Sequence, residues 1–311
     1  MRYSLVSRFQ GTLLGAVVGE HVPLSVKTLR SRILEVKRLH ATSLPWMKMV
    51  VLGTESLIDL GRLDLDDWQK RQQQEFLNLD TTLDILPEAI LSTLPIALFF
   101  HENPIKLREA LWNVTQMWHD KPLVRDGALA VAYAIAQSLT EKLSRVTLIP
   151  QIVSFLGETP TDLPQQLLKV NDLLDGQAGL ERVQSELMKE RKLCNMIAIA
   201  FYLFLDTLED YRLSMLRAHQ NRNDLRGLSS ITGALSGSYN SVIGIPASWQ
   251  ISLERELSSF SQMVKLADAL MAVWSGVYNF SSYSSEAISG NCVNEQHLLP
   301  IGAISSPRVI R

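Results

Sequence analysis

Apolar residues recur at intervals of three and four along most of the chain. Leu83, Leu86, Ile90, Leu91, Leu94 and Leu98 keep this spacing, as do Leu253, Leu257, Phe260, Val264, Ala267, Leu270, Met271 and Trp274. Such spacing lines one face of an α-helix, whereas the strict alternation of a half-buried strand is scarcely found. Two runs, Ala89–Phe100 and Met196–Leu205, are apolar almost all round, the pattern of helices buried on most sides. Helix starts are marked by Asp64 ahead of Asp66-Asp67, by Asn103-Pro104, and by Asp120 ahead of Pro122. Pro104 and Pro122 suit a first turn, where the N–H they lack would have no partner anyway. The pattern predicts an all-α fold of about twelve helices with short links.

The stretch from Gly157 to Gly179, with Thr159-Pro160, Pro164, Asp172, Asp175 and Gly176, reads as a surface crossing within one domain. After Tyr278 the helical period stops and serines crowd the chain, among them Ser281, Ser282, Ser284 and Ser285. The division expected is a single helical domain over 1–280 and a mobile or loosely docked tail over 281–311.

Near the start, Arg2 and Arg8 precede the apolar stretch Leu13–Val18, the outline of a signal peptide. Gly11, Gly15 and Gly19 interrupt it, and Glu20-His21 follow at once. Leu13 and Leu14 sit four residues before Val17 and Val18, so a buried helix face is the reading preferred. No stretch reaches the roughly 18 continuous apolar residues of a membrane span. Composition narrows the classes further. The 311 residues are 46% hydrophobic, enough for a large core, and carry a net charge of −2. No global field recruits nucleic acid or an anionic membrane, and neither is expected as a partner. Two cysteines, Cys194 and Cys292, make no disulfide framework, and a cytoplasmic protein is expected.

Two segments stand out. One is Arg8-Phe9-Gln10-Gly11-Thr12-Leu13-Leu14-Gly15-Ala16-Val17-Val18-Gly19-Glu20; the other runs Gly233-Ala234-Leu235-Ser236-Gly237-Ser238-Tyr239 and leads to Gly244-Ile245-Pro246 and Trp249. Gly15 with Gly19, and Gly233 with Gly237, lie four apart on one helix face, where small residues let backbones approach. Taken together and in this order, the segments resemble the ADP-ribosylglycohydrolase family. Leu94-Pro95-Ile96-Ala97-Leu98-Phe99 is similar to that family's Pro-centred core helix, and His119-Asp120-Lys121-Pro122 to its Thr-His-x-x-Pro stretch. The resemblance covers residues 5–278. It implies an orthogonal helical bundle around a two-magnesium site that cleaves ADP-ribose from modified side chains or related molecules.

The same resemblance exposes departures. Where the family has Gly-Asp after its first helix, Gly19 is followed by Glu20. Its Thr-Asp-Asp-Thr ligand run, counted back from Glu55-Ser56-Leu57, falls on Leu44-Pro45-Trp46-Met47, which contains no carboxylate. Its Gly-Asp-x-Asp-Thr motif, counted back from Gly233, leaves Asp224 but puts Arg226 and Gly227 in place of the second Asp and the Thr. Ser92 stands near a family arginine. Mg²⁺ needs near-octahedral oxygen ligands, carboxylates usually among them. A guanidinium about 4 Å from a unit charge at an effective dielectric near 20 contributes about 4 kcal/mol, roughly doubled for a divalent ion. On this register no metal ligand and no cofactor is expected, although the family implies magnesium.

The residues left for a ligand are Glu20, His21, His119, Asn223, Asp224 and Arg226, with Glu20, His119 and Asp224 as catalytic candidates. Each has a plainer reading. Glu20 and His21 suit a solvated helix C-terminus, and His119 a histidine packed beside Trp118, while Asp224 with Arg226 reads equally as a salt bridge capping a helix or as an anion clamp at a helix start. The basic stretch Lys27, Arg30, Arg32, Lys37, Arg38 and His40 suits a solvated face, and Asp206, Glu209 and Asp210 suit capping at a helix break. Three functions remain open: a catalytically inactive family relative that binds an ADP-ribose-like molecule or a protein, an N-glycosidic hydrolase working without metal, and a structural scaffold. The oligomeric state is not legible.

Overall fold

The computed structural model describes residues 3–21, 45–76, 86–118, 121–187, 193–220 and 227–277. The described residues form helices and no strand: α1 (Leu5–His21), α2 (Pro45–Leu60), α3 (Leu65–Phe76), α4 (Leu86–Ser92), α5 (Leu94–Phe99), α6 (Pro104–Thr115), α7 (Pro122–Leu139), α8 (Leu148–Leu156), α9 (Leu163–Asp175), α10 (Leu180–Leu187), α11 (Leu193–Asp206), α12 (Tyr211–His219), α13 (Leu228–Asn240), α14 (Ala247–Glu256) and α15 (Ser258–Trp274). Short 3₁₀ turns follow α6 and α13. The all-α reading therefore holds. The serine-rich tail lies outside the described residues.

Local signals set several of the boundaries. Asn103 Oδ1 accepts from the N–H groups of Ile105 and Lys106 at 3.1 and 3.0 Å, capping α6 ahead of Pro104. Asp64 Oδ1 accepts from the Asp67 N–H at 3.1 Å at the start of α3. At α7 the cap position is Lys121, while Asp120 lies outside the described residues. The apolar run Ala89–Phe100 is divided into α4 and α5 at Thr93, whose hydroxyl donates to the Ile90 carbonyl.

The stretch from Gly157 to Gly179 departs from the surface crossing expected. It contains α9, which buries Leu163, Leu167, Val170, Leu173 and Leu174 against α8 and α11. Pro164 and the surrounding polar residues suggest a loop, but Pro164 occupies the first turn, where it costs no hydrogen bond. The flanking loop is tied down by Asp126, a buried carboxylate that accepts from the hydroxyls of Thr159 and Thr161.

At the centre lies α13, packed on α1, α7, α11 and α12. Helix α11 is buried continuously from Cys194 to Leu205. The α1–α13 contact is made by small residues. The two helices run antiparallel, with Gly11 against Gly237, Gly15 against Gly233, and Gly19 against Ser229. A Cβ on Gly15 would overlap the Gly233 carbonyl oxygen and stand 3.0 Å from its carbon and 3.3 Å from the Gly237 Cα. One on Gly19 would lie 2.6 Å from the Ser229 carbonyl carbon. The direction of a missing Cβ is that of the second α-hydrogen, so these glycines aim C–H groups at carbonyl oxygens of the facing helix. Two further bonds fix the pair. The buried Tyr211 hydroxyl donates to the Gly15 carbonyl at 2.9 Å. Arg8, 7% exposed in its side chain, binds the Ser138 carbonyl and lies 2.7 Å from Glu141 Oε1, joining the start of α1 to the end of α7.

His101 is buried between Phe9 and Trp274, its ring centroid 5.6 and 4.8 Å from theirs. Its Nδ1–H donates to the Leu98 carbonyl at 2.7 Å. Burial holds its pKa below the usual 6.5 despite this bond and the nearby Glu102.

Gly15→Ala lowers the unfolding free energy in urea by more than about 3 kcal/mol, because two backbones must separate. Gly179→Ala, whose Cβ meets nothing within 4 Å, is the control and leaves stability within about 1 kcal/mol of the parent. His101 is neutral in the fold and protonates more readily once unfolded. Its contribution is complete above pH 6.5 and is lost as pH falls from there through the lower folded-state pKa. His101→Phe accordingly flattens the decline of the denaturant midpoint with pH over that window.

Candidate functional site

The glycine contacts run to the end of α1 and deliver Glu20 to the start of α13. There the Ser230 hydroxyl, fully buried, donates to Glu20 Oε2 at 2.6 Å. This is a charge-assisted bond between the last turn of one helix and the first turn of the other. Gly227, at φ +84°, enters α13 in the left-handed conformation, and a Cβ there would stand 2.5 Å from Pro87 Cβ at the start of α4. The end of α1, the start of α13 and the start of α4 therefore meet in one place.

The sequence candidates are placed unequally. Glu20 takes part in this junction. His21 is partly buried, and its Nδ1–H donates to the Val17 carbonyl at 2.9 Å, which fits the helix-end reading. His119, Asn223, Asp224 and Arg226, and the basic stretch Lys27 to His40, lie outside the described residues. Ser92 is buried, and its hydroxyl donates to the Glu88 carbonyl at 2.7 Å. Asp210 caps α12 by accepting from the Leu213 N–H at 2.8 Å, as expected of an acid at a helix break. Asp206 instead pairs with Arg217.

Trp46 and Met47 occupy the first turn of α2, and each is 2% exposed. That helix packs on α4, α5 and α15. The Trp46 indole N–H meets no acceptor among the described residues. No three of His, Cys, Asp and Glu group as a metal site among the described residues. At this junction the Glu20 carboxylate and the Ser230 hydroxyl are bound to each other, and Glu88 stands in the first turn of α4 beside Pro87. A two-magnesium site needs more carboxylate oxygens than this bonded pair supplies.

Ser230 and Pro87 were not legible as site residues. Ser230 is one of many serines in the sequence, and only the antiparallel register of α1 and α13 brings it to Glu20.

The architecture defines a helical bundle built around one antiparallel pair of helices with small-residue faces. The sequence profile of the family described as ADP-ribosylglycohydrolase matches residues 54–279, more than half of the chain, and the protein belongs to that family. The matched region contains α13 but begins after the first turn of α2. A solved structure described as an ADP-ribosylglycohydrolase-related protein complex is similar in fold, with a TM-score of 0.58 and 15% identity, over 87% of this chain and 99% of that one. No curated protein matches in sequence. No helix among the described residues is long and apolar enough to cross a membrane.

The Glu20–Ser230 bond is testable by a double-mutant cycle. Ser230→Ala lowers stability by about 1 kcal/mol, because it removes a donor from a carboxylate that water reaches in part. Glu20→Gln and the double variant show a coupling energy of at least about 0.5 kcal/mol in urea unfolding.

Proposed function

We propose that this member of the ADP-ribosylglycohydrolase family is a binding or interaction protein that does not run the two-magnesium hydrolysis. The supporting observation is at the start of α2. On the register implied by the resemblance, the family's carboxylate run falls on Leu44-Pro45-Trp46-Met47, and the indole and thioether there are buried in the core. Apolar side chains neither ligate Mg²⁺ nor offset its desolvation. Arg226, on the same register, adds a cation where the family has a second carboxylate. The ligand class is an ADP-ribose-like small molecule or a protein surface, taken up where α1, α4 and α13 meet.

A second reading has one specific support. Glu20 is a carboxylate held in place by the Ser230 hydroxyl, and such a group could serve as acid or base in a hydrolysis that uses no metal. Turnover decides between the two readings.

Isothermal titration of the full chain with Mg²⁺ gives no stoichiometric uptake, and ADP-ribosylated protein is not cleaved with or without chelator. Tight uptake of two ions per chain overturns the proposal. Cleavage in excess chelator that Glu20→Gln abolishes establishes the second reading. Titration with ADP-ribose then separates small-molecule binding from protein recognition.

A further inference from the structure

At the far end of α13 from Ser230, the Asn240 side chain donates to the Leu208 carbonyl at 2.9 Å, two residues beyond the end of α11. A cavity of about 590 Å³ opens at this end of α11. Its charged residues come from separate elements: Asp206 from α11, Arg217 from α12, and Arg145 from the loop between α7 and α8. Arg217 pairs with Asp206 Oδ2, and an Arg145 guanidinium nitrogen lies 3.7 Å from Oδ1. Beneath them the buried Tyr202 hydroxyl donates to the Ala178 carbonyl at 2.6 Å and stands 3.5 Å from Asp206.

Two guanidiniums therefore share one carboxylate. Each guanidinium presents five N–H donors in a planar fork, far more than Asp206 can accept. The side chains of Arg145 and Arg217 are 46% and 31% exposed, so water or a solute reaches them. Asp175, on the rim, accepts from the Asn171 side chain at 3.0 Å. With it the lining is electrically balanced, and attraction comes from directed donors rather than from net charge. Leu174 and Leu180 supply an apolar wall. The volume suits a small molecule.

We infer that this cleft is a ligand site distinct from the Glu20–Ser230 junction, taking a small molecule through an oxyanion seated on the Arg145–Arg217 pair. Phosphate and carboxylate each present a pair of oxygens that the planar guanidinium fork binds bidentately. Asp206 positions both arginines and also competes with the ligand for them. Partial neutralisation of that carboxylate therefore strengthens binding, an effect that a purely bracing ion pair does not produce.

The test is titration of the full chain with inorganic phosphate and, separately, with acetate at constant ionic strength, read by calorimetry and by the thermal midpoint. Saturable binding of phosphate alone assigns a phosphorylated ligand; saturable binding of acetate as well assigns the wider carboxylate class. Arg145→Ala weakens binding at least about fivefold, and Asp206→Asn strengthens it by about the same factor. Arg217→Lys keeps a cation beside Asp206 but loses the fork and weakens binding, and it carries the test should Asp206→Asn not fold. Variants at Glu20 and Ser230 leave this binding unchanged, so its result is independent of the proposal for the α1–α13 junction. Absence of saturable binding by either anion, or binding indifferent to Arg145→Ala and Arg217→Lys, overturns the inference.

Discussion

The close approach of α1 and α13 is the constraint on which the rest of the molecule depends. Side chains normally keep packed helices 8–10 Å apart. Here the glycines remove that spacer at successive turns, and the carbonyl of one helix stands where a side chain of the other would be. The contact admits one register. A slip would bring Leu14 or Val18 against the partner backbone. Because the register is fixed at Gly11, Gly15 and Gly19, the ends of both helices are fixed too, and Glu20 meets Ser230. The same pair is held from outside by the Tyr211 hydroxyl on the Gly15 carbonyl and by Arg8 on the end of α7.

A fold fixed in this way can be kept while its chemistry changes. The packing of α1 on α13 involves backbone and small side chains, whereas metal binding requires carboxylates at helix ends. The two requirements fall on different residues. Family membership and fold similarity therefore describe the bundle, and activity has to be argued from the donors themselves. Trp46 and Met47 suit the bundle because a helix start packed among other helices accepts apolar side chains.

The two polar assemblies differ in kind. Glu20 and Ser230 satisfy one another at a helix junction. Arg145, Arg217 and Asp206 leave donors over, in a cavity. The first bond ties two helix ends together; the second leaves guanidinium N–H groups facing solvent.

Much of this was determined by the sequence alone. Spacing of three and four, caps such as Asn103 and Asp64, and glycines four apart specify helices and their contact faces, because these signals act within a few turns of the chain. The helix α9 was hidden by Pro164 and its polar neighbours, whose loop-forming tendency is overridden when Leu167, Val170 and Leu174 find a core to enter. Pairings between distant residues were decided by the tertiary structure. Ser230 with Glu20, Tyr211 with Gly15, and Arg145 with Asp206 and Arg217 depend on helix register and crossing, which no local pattern encodes. Local propensities choose the elements; only packing, which compares all faces at once, chooses their neighbours.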